Sequence, residues 1–394
     1  MPRAIHIRPS NDGQTLATAL RKILGEQTPW SEVKRLIAKR HVMLNGNLCV
    51  DEGRKVQVGD VLHLHEQSRA PLPTEDDIVI RYIDGDLVVI EKPAGLNTLR
   101  HREETDLPQK RKDKAPTLEE LLQKKVNAYV RERSRSASQA PHILAGRDPR
   151  RGPVPHADAR RSPPPVHPLM RGKVAGGKPP PGPAYAAAPA THHAPPPLPS
   201  TSPELRPVHR LDRETSGLMM FAFSAPAEHA LERDFARHAV ERKYLAVVVG
   251  QLREPRTIES WILRDRGDGL RGSSPKGKAA ESAGAQRALT HVRPVEQLAG
   301  YTLVECQLET GRTHQIRIHL SELGHPLAGE KVYLSPLAPP PDATAPARHA
   351  LHSHHLRFTH PTTGETKEFA SPFPRDLEGC QKTPRGGEVI YSAT

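Results

Sequence analysis

Asp212 is the acid whose surroundings invite chemistry. It stands in Pro207-Val208-His209-Arg210-Leu211-Asp212-Arg213-Glu214-Thr215-Ser216-Gly217-Leu218-Met219, between Arg210 and Arg213. The apolar run Leu218 to Phe223 that follows reads as a buried strand. Positive neighbours favour the charged form of a carboxylate, so Asp212 is expected to be ionised at neutral pH. An ionised Asp at the mouth of a strand is equipped to act as a nucleophile. The same residues also suit an ion pair that merely caps a strand, and the segment alone does not separate the two readings.

Two later segments bring further functional groups. Arg242-Lys243-Tyr244-Leu245-Ala246-Val247-Val248-Val249-Gly250 reads as a strand entered by a tyrosine, a placement that ordinary core packing explains equally well. Gly311-Arg312-Thr313-His314-Gln315-Ile316-Arg317 follows the alternating strand Tyr301 to Leu308. Thr313 is the expected N-cap of a helix with Ile316, Leu320 and Leu323 as its buried stripe and Gly324 as its stop. Arg317 lies beside that stripe.

Elements must hold these segments in place. Apolar spacing predicts helices over residues 14–24 and 31–40, the second carrying Lys34, Arg35, Lys39 and Arg40. Asn45-Gly46 predicts a hairpin turn between residues 42–44 and 47–50, and residues 58–64 add a strand. Residues 78–80 and 87–90 read as strands joined by Asp84-Gly85, and residues 116–126 and 225–238 as helices. Residues 141–200 hold 17 of the 41 prolines and show no hydrophobic period, so an insertion without a packed core is expected there. Its His192-His193 pair lacks an ordered ligand set. Gly267 to Gly272 spells a dinucleotide fingerprint without the strand-turn-helix context and is rejected. His352, His354 and His355 are read as surface and strand histidines, because no carboxylate or cysteine joins them as a metal ligand.

Composition narrows the class. A net charge of +12 over 394 residues favours a polyanionic partner, although a solvated basic tail gives the same count. Cys49, Cys306 and Cys380 are far apart and match no zinc spacing, which suggests reduced thiols and a reducing compartment. With no signal peptide and no apolar run of membrane-spanning length, a soluble cytoplasmic protein is expected.

His209-Arg210-Leu211-Asp212 with Thr215-Ser216-Gly217 resembles the signature of the RluA-type pseudouridine synthases. Glu91-Lys92-Pro93-Ala94-Gly95 resembles that family's first motif, Lys243-Tyr244-Leu245 its second, and Gly311 to Arg317 its third. Two departures stand out. The first-motif loop continues Asn97-Thr98-Leu99-Arg100-His101 in place of small apolar residues, a His and a Pro. Gly329-Glu330 replaces a Gly-Asp pair. The resemblance covers about residues 78–125 and 204–374.

The resemblance implies an α+β fold: a mixed, mainly antiparallel sheet catalytic domain of pseudouridine synthase type, preceded by a small α+β S4-like RNA-binding domain. The expected boundaries are 1–68 for the S4-like domain, 75–128 and 204–375 for the two parts of the catalytic domain, 129–203 for the insertion and 376–394 for a polar tail. It implies RNA as partner, foremost rRNA and secondly tRNA, with no membrane and a monomeric chain. It further implies Asp212 as nucleophile, Tyr244 against the target base, and Arg317 paired with Asp212. A guanidinium can hold both carboxylate oxygens in a fork; Arg312 is the other choice of partner. Arg210 fills the gap left by a flipped base or contacts phosphate; Arg312, Lys34, Arg35, Lys39 and Arg40 serve RNA binding.

Isomerising uridine needs no redox step and no group donor, so no cofactor is expected. The target base must leave its stack, at a cost of about a few kcal/mol. Asp212 can then attack C6 of uracil or the anomeric carbon, and the sequence does not choose. Two other classes remain: a noncatalytic S4-type RNA-binding or ribosome-assembly protein, which has no need of Asp212, Tyr244 and Arg317 together, and a hydrolase using the Asp covalently, for which no general base or metal ligand set is visible.

Overall fold

The computed structural model describes residues 3–44, 47–65, 71–100, 105, 108–113, 115–138, 199, 202–266, 270–274, 284–335 and 345–381. The chain divides into two compact units, Met1–Arg133 with Pro196–Thr394, and Ser134–Pro195. The second holds the end of one helix and otherwise lies almost wholly outside the described residues, as does the proline-rich stretch.

The N-terminal part of the first unit contains β1 (Arg3–His6), α1 (Leu16–Leu24), α2 (Trp30–Ala38), β2 (Val42–Leu44), β3 (Asn47–Leu48) and β4 (Val61–Leu64). Thr15 caps α1, its hydroxyl accepting from the Thr18 amide at 3.3 Å. The strands pair antiparallel in the order β1-β4-β2-β3. Leu16 and Leu20 of α1 and Val33 and Ile37 of α2 close over Val42, Leu44 and Leu62 of the sheet. The hairpin pairs Leu44 with Asn47, as Asn45-Gly46 predicts; the turn residues themselves lie outside the described set.

The large sheet begins with β5 (Val79–Ile83) and β6 (Leu87–Lys92). After α3 (Gln109–Lys112) and α4 (Leu118–Ser138) come β7 (Arg206–Pro207), β8 (Ser216–Ala222), α5 (Ala225–Ala236) and β9 (Glu241–Val249). β10 (Arg256–Leu263), β11 (Gly272–Ser274), β12 (Gln286–Gln297) and β13 (Tyr301–Leu308) follow. α6 (Gln315–Glu322), β14 (Leu351–Thr359) and β15 (Thr366–Ala370) complete it. Strand order is β11-β10-β12-β13-β9-β14-β8-β6-β5, with β15 beside β14 and β7 beside β8. All neighbours are antiparallel except β14 and β8, so the sheet is mixed and mainly antiparallel.

β8 is continuously apolar because both its faces are covered. Met219 and Phe221 face the side of α4 and α6, packing in one core with Leu118, Leu122, Ile316 and Leu320. Leu218, Met220 and Ala222 face α5, with Ala227 and Leu231. α4 starts where Thr117 and Glu120 cap reciprocally, each side chain accepting from the other's amide at 3.3 and 3.0 Å. It runs to Ser138, so residues 129–138, assigned above to the insertion, are helical. The reason is that Val130 extends the stripe of Leu122 and Val126 by one more turn into the core.

Two smaller expectations are corrected. Thr313 does not cap α6. His314 occupies the N-cap position in the left-handed region (φ 59°), and the Gln315 side chain closes the turn, its Oε1 accepting from the Arg312 amide at 2.9 Å and the Thr310 hydroxyl at 2.8 Å. His352, His354 and His355 lie in a strand, β14, but are buried, not on the surface. His352 bonds the hydroxyls of Ser216 and Ser371, His354 lies 3.4 Å from Glu305 and His355 bonds Glu368; carboxylates thus do join two of them, but each imidazole serves a different partner.

Candidate active site

The segment before β8 is held from both sides of Asp212. The Thr98 hydroxyl donates to the Leu211 carbonyl at 2.9 Å. Arg213 and Gly95 bond each other twice, Nε to carbonyl at 2.9 Å and amide to carbonyl at 2.8 Å. Lys92 is fully buried, and its ammonium donates to the carbonyls of Pro93, Arg213 and Thr215 at 3.1, 2.9 and 2.8 Å. Three carbonyl acceptors require the full –NH3+ group, which offsets the burial that pushes Lys92 down to about 7. The loop over Lys92 to Thr98, to which the sequence reading assigned no role, is thus the clamp on the Asp212 backbone. His209 anchors the segment's start, Nε2 accepting from the Met220 amide at 3.0 Å.

The small residues after Asp212 have an equally local cause. Ser353 of β14 pairs with Gly217 of β8 on one side and with Tyr244 of β9 on the other. A Cβ on Gly217 would stand 2.2 Å from the Ser353 carbonyl oxygen, and its φ of 111° disfavours other residues. Thr215 and Ser216 spend their hydroxyls on the buried His349 and His352, both at 2.9 Å. Asp212 and Tyr244 are therefore tied to β8 and β9, the two strands that flank β14 in one sheet.

Arg317 links the acids. Its Nη1 donates to Asp212 Oδ2 at 3.3 Å, while Nε and Nη2 form a fork on Glu330 at 2.8 Å each. The expected pairing of Arg317 with Asp212 is present, but the two-oxygen fork goes to Glu330, the residue at the Gly329-Glu330 departure. Glu330 Oε1 also accepts from the amides of Lys331 and Val332 at 2.9 Å, and its side chain is 2% exposed. Burial opposes ionisation of Glu330, but Arg317 and these amides outweigh it and hold the carboxyl far below its usual range.

Asp212 is different in kind. Its side chain is 17% exposed and accepts one long hydrogen bond, from Arg317. Oδ1 has no hydrogen bond among the described residues; the nearest basic nitrogen, His314 Nε2, is 3.9 Å away. Burial opposes its charge, yet His314, Arg317 and His349 around it bring the net shift below the usual carboxylate range. Burial itself pushes His314 down to about 4 and His349 to about 3. Both imidazoles are neutral at pH 7, and the permanent charge that keeps Asp212 ionised is that of Arg317. His314 Nδ1 bonds the Tyr333 hydroxyl at 2.8 Å, and that ring lies 5.1 Å from the Arg317 guanidinium carbon.

Asp212, Tyr244, Arg317, Arg210, Arg312 and Arg242 all line one cleft of about 560 Å³. Arg210 and Arg312 are exposed at it. Lys34, Arg35, Lys39 and Arg40 are placed elsewhere, on and after α2: Lys34 pairs with Glu52 at 3.9 Å and Arg35 with Glu32 at 3.7 Å. Among the described residues the acid-histidine group Asp84, Asp86 and His360 has metal-like spacing. It is a turn strut: Asp84 accepts from the Tyr82 hydroxyl and from two amides and bonds His360.

Five histidines, of which His319, His349 and His352 are buried, make stability acid-sensitive. Burial pushes His209 and His349 to about 3, and His314, His319 and His352 to about 4. An unfolded histidine titrates near 6.5, so below about pH 6.5 the unfolded chain takes up protons that the fold refuses. Their contribution is complete above that pH and is lost as pH falls toward 4 and 3. The thermal midpoint is expected to be level from pH 8 to 7 and to fall steeply between pH 6 and 4. A midpoint that is unchanged from pH 7 to 5 in calorimetry would contradict this assignment.

The mixed sheet thus brings an ionised Asp, a Tyr and an Arg to one cleft. Residues 176–322 match the family described as RNA pseudouridylate synthase. The chain is similar to "Ribosomal large subunit pseudouridine synthase D" of Neisseria meningitidis serogroup B, 43% identical over 176 residues, 43% of this chain and 46% of that protein. It is similar to the protein of the same name from Nitrosomonas europaea, 39% identical over 43% of this chain and 48% of that one. The aligned part thus spans about half the length of these curated relatives. A solved structure, "Human RNA Pseudouridylate Synthase Domain Containing 1", aligns over 79% of this chain and 90% of its own at 21% identity and a TM-score of 0.45. No helix among the described residues is long and apolar enough to cross a membrane.

Proposed function

We propose that the chain is an RNA pseudouridine synthase that isomerises uridines in structured RNA, foremost large-subunit rRNA, with Asp212 as nucleophile. The observation that carries this reading is the half-buried Asp212, which lines the cleft and is held ionised by Arg317 at 3.3 Å, its Oδ1 without a hydrogen bond among the described residues. Glu330, the other acid on Arg317, is saturated with donors and closed off from substrate. The rRNA assignment is supported by the relatives' names.

In the reaction the C1′–N1 bond breaks, the base turns, C1′ bonds to C5, the C5 proton leaves and N1 gains one. Asp212 supplies the attacking oxygen, at C6 or at the anomeric carbon. Burial raises Tyr244, so its phenol stays protonated at neutral pH and its ring forms a wall for the base. Arg210 and Arg312 at the cleft contact the RNA backbone. The N-terminal helices and sheet, with Lys34, Arg35, Lys39 and Arg40, act as an S4-like RNA-binding module that adds affinity and not chemistry.

The test is release of tritium from transcripts of large-subunit rRNA made with 5-tritiated uridine. The full chain is expected to release tritium in step with pseudouridine formed. No release from either rRNA or tRNA transcripts would overturn the reading in favour of a noncatalytic RNA-binding protein.

A further inference from the structure

Arg242 is a charge that the site, as described so far, leaves unanswered. It is 7% exposed and lines the same cleft as Asp212. Its guanidinium carbon lies 5.0 Å from the Phe235 ring. Nε is buried without a hydrogen-bond partner, and no carboxylate among the described residues pairs with the group. Every charged neighbour inside the cleft is otherwise engaged: Asp212 with Arg317, Glu309 with His291. Burying a guanidinium without an anion costs several kcal/mol, so a fold that keeps one has room for an anion that is not part of the protein.

Its position specifies which anion. Arg242 and Tyr244 are two residues apart on β9 and so point to the same face, roughly 7 Å apart along the strand. A nucleotide whose base lies against Tyr244 extends its sugar and phosphate over such a distance. A neutral base carbonyl at Arg242 would leave the buried charge uncompensated; a phosphodiester oxygen would not. Space is kept for the group by Gly311, where a Cβ would stand 2.7 Å from Arg242 Nη1. The backbone at Gly311 does not itself require glycine, since its φ is not in the positive range.

We infer that Arg242 is a substrate-binding residue that holds a backbone phosphate next to the extruded nucleotide, an inference that rests on the RNA reading above. The contact neutralises one phosphate and releases its counterion, which makes it visible in the salt dependence of binding.

The experiment is filter binding of the full chain to a large-subunit rRNA transcript over about 50 to 200 mM KCl. Arg242→Met keeps the length and the packing on Phe235. It is expected to weaken binding severalfold and to make the slope of log affinity against log salt shallower by about 0.7 to 0.9. Arg242→Lys, which keeps the charge, should retain the wild-type slope. Gly311→Ala pushes the guanidinium aside without removing it, and should reproduce the shallower slope; it decides the matter if Arg242→Met does not fold. A folded Arg242→Met with the wild-type slope overturns the inference, as does a lowered thermal midpoint with an unchanged slope, which marks a purely structural role. The readout does not depend on catalysis. A shallower slope in a chain that releases no tritium upholds the phosphate site and rejects the synthase reading, whereas tritium release with an unchanged slope does the reverse.

Discussion

Asp212→Asn is expected to abolish pseudouridine formation, by a factor on the order of 10⁴ or more in single-turnover rate, while leaving the fold and RNA affinity intact. The amide has the shape of the carboxylate but neither its charge nor its nucleophilic oxygen. The fold survives because Arg317 keeps its fork on Glu330 and is not left as a buried unpaired cation. The folded site holds the Asp212 carboxyl below its usual range, so its charge is net stabilising there and the thermal midpoint should fall slightly, without loss of the fold. Tritium release from 5-tritiated rRNA transcripts reads the chemistry, filter binding the affinity, and mass spectrometry confirms that the Asn has not reverted by deamidation. Release at a rate comparable to wild type would remove Asp212 from the role of nucleophile.

That Asp212, Tyr244 and Arg317 would share one cleft was legible in the sequence because each stands in a short motif whose neighbours have fixed local duties. Ser216 and Gly217 are small so that β14 can lie parallel to β8, and Lys92 is basic because three carbonyls converge on it. Strands β2 to β6, β8, β9 and β13 and helices α1, α2 and α5 were legible from apolar periodicity and turn residues; β1, β7, β10, β11, β12 and β15 were not read from the sequence. What the sequence did not reveal depends on encounters between distant segments. The fork from Arg317 to Glu330 joins residues on either side of a helix end and a loop, and only the fold decides which acid receives two bonds and which receives one. Thr313 has the residue type of an N-cap, but His314 takes the cap position and the Gln315 side chain ties the turn upstream of the helix, accepting from Arg312 and Thr310. That Arg242 meets no carboxylate among the described residues is a matter of long-range packing, which no motif spells.

The Arg317–Glu330 pair sets up the largest stability effect. Arg317→Ala leaves the buried Glu330 carboxylate and Asp212 without their cation, and breaking such a pair from one side costs about 3–5 kcal/mol. Activity should vanish as well, since Asp212 then protonates more readily. Glu330→Gln separates positioning from charge holding. Arg317 loses its fork but retains Asp212, and the freed guanidinium is expected to turn and engage both Asp212 oxygens, blocking the one that attacks. This variant should lose about 10²-fold in kcat with a smaller stability loss, roughly 2 kcal/mol, and with KM nearly unchanged. Glu330→Asp restores the charge on a shorter arm and should recover most of the rate. In Arg317→Ala/Glu330→Gln no unpaired partner of the fork remains, so the double variant should be more stable than the sum of the two single losses predicts, by about 2 kcal/mol, and still inactive. Urea unfolding of all four proteins measures this coupling. Losses that simply add would mean that Glu330 holds the loop after α6 through its amide contacts alone, and that Arg317 is aimed at Asp212 by something other than the fork.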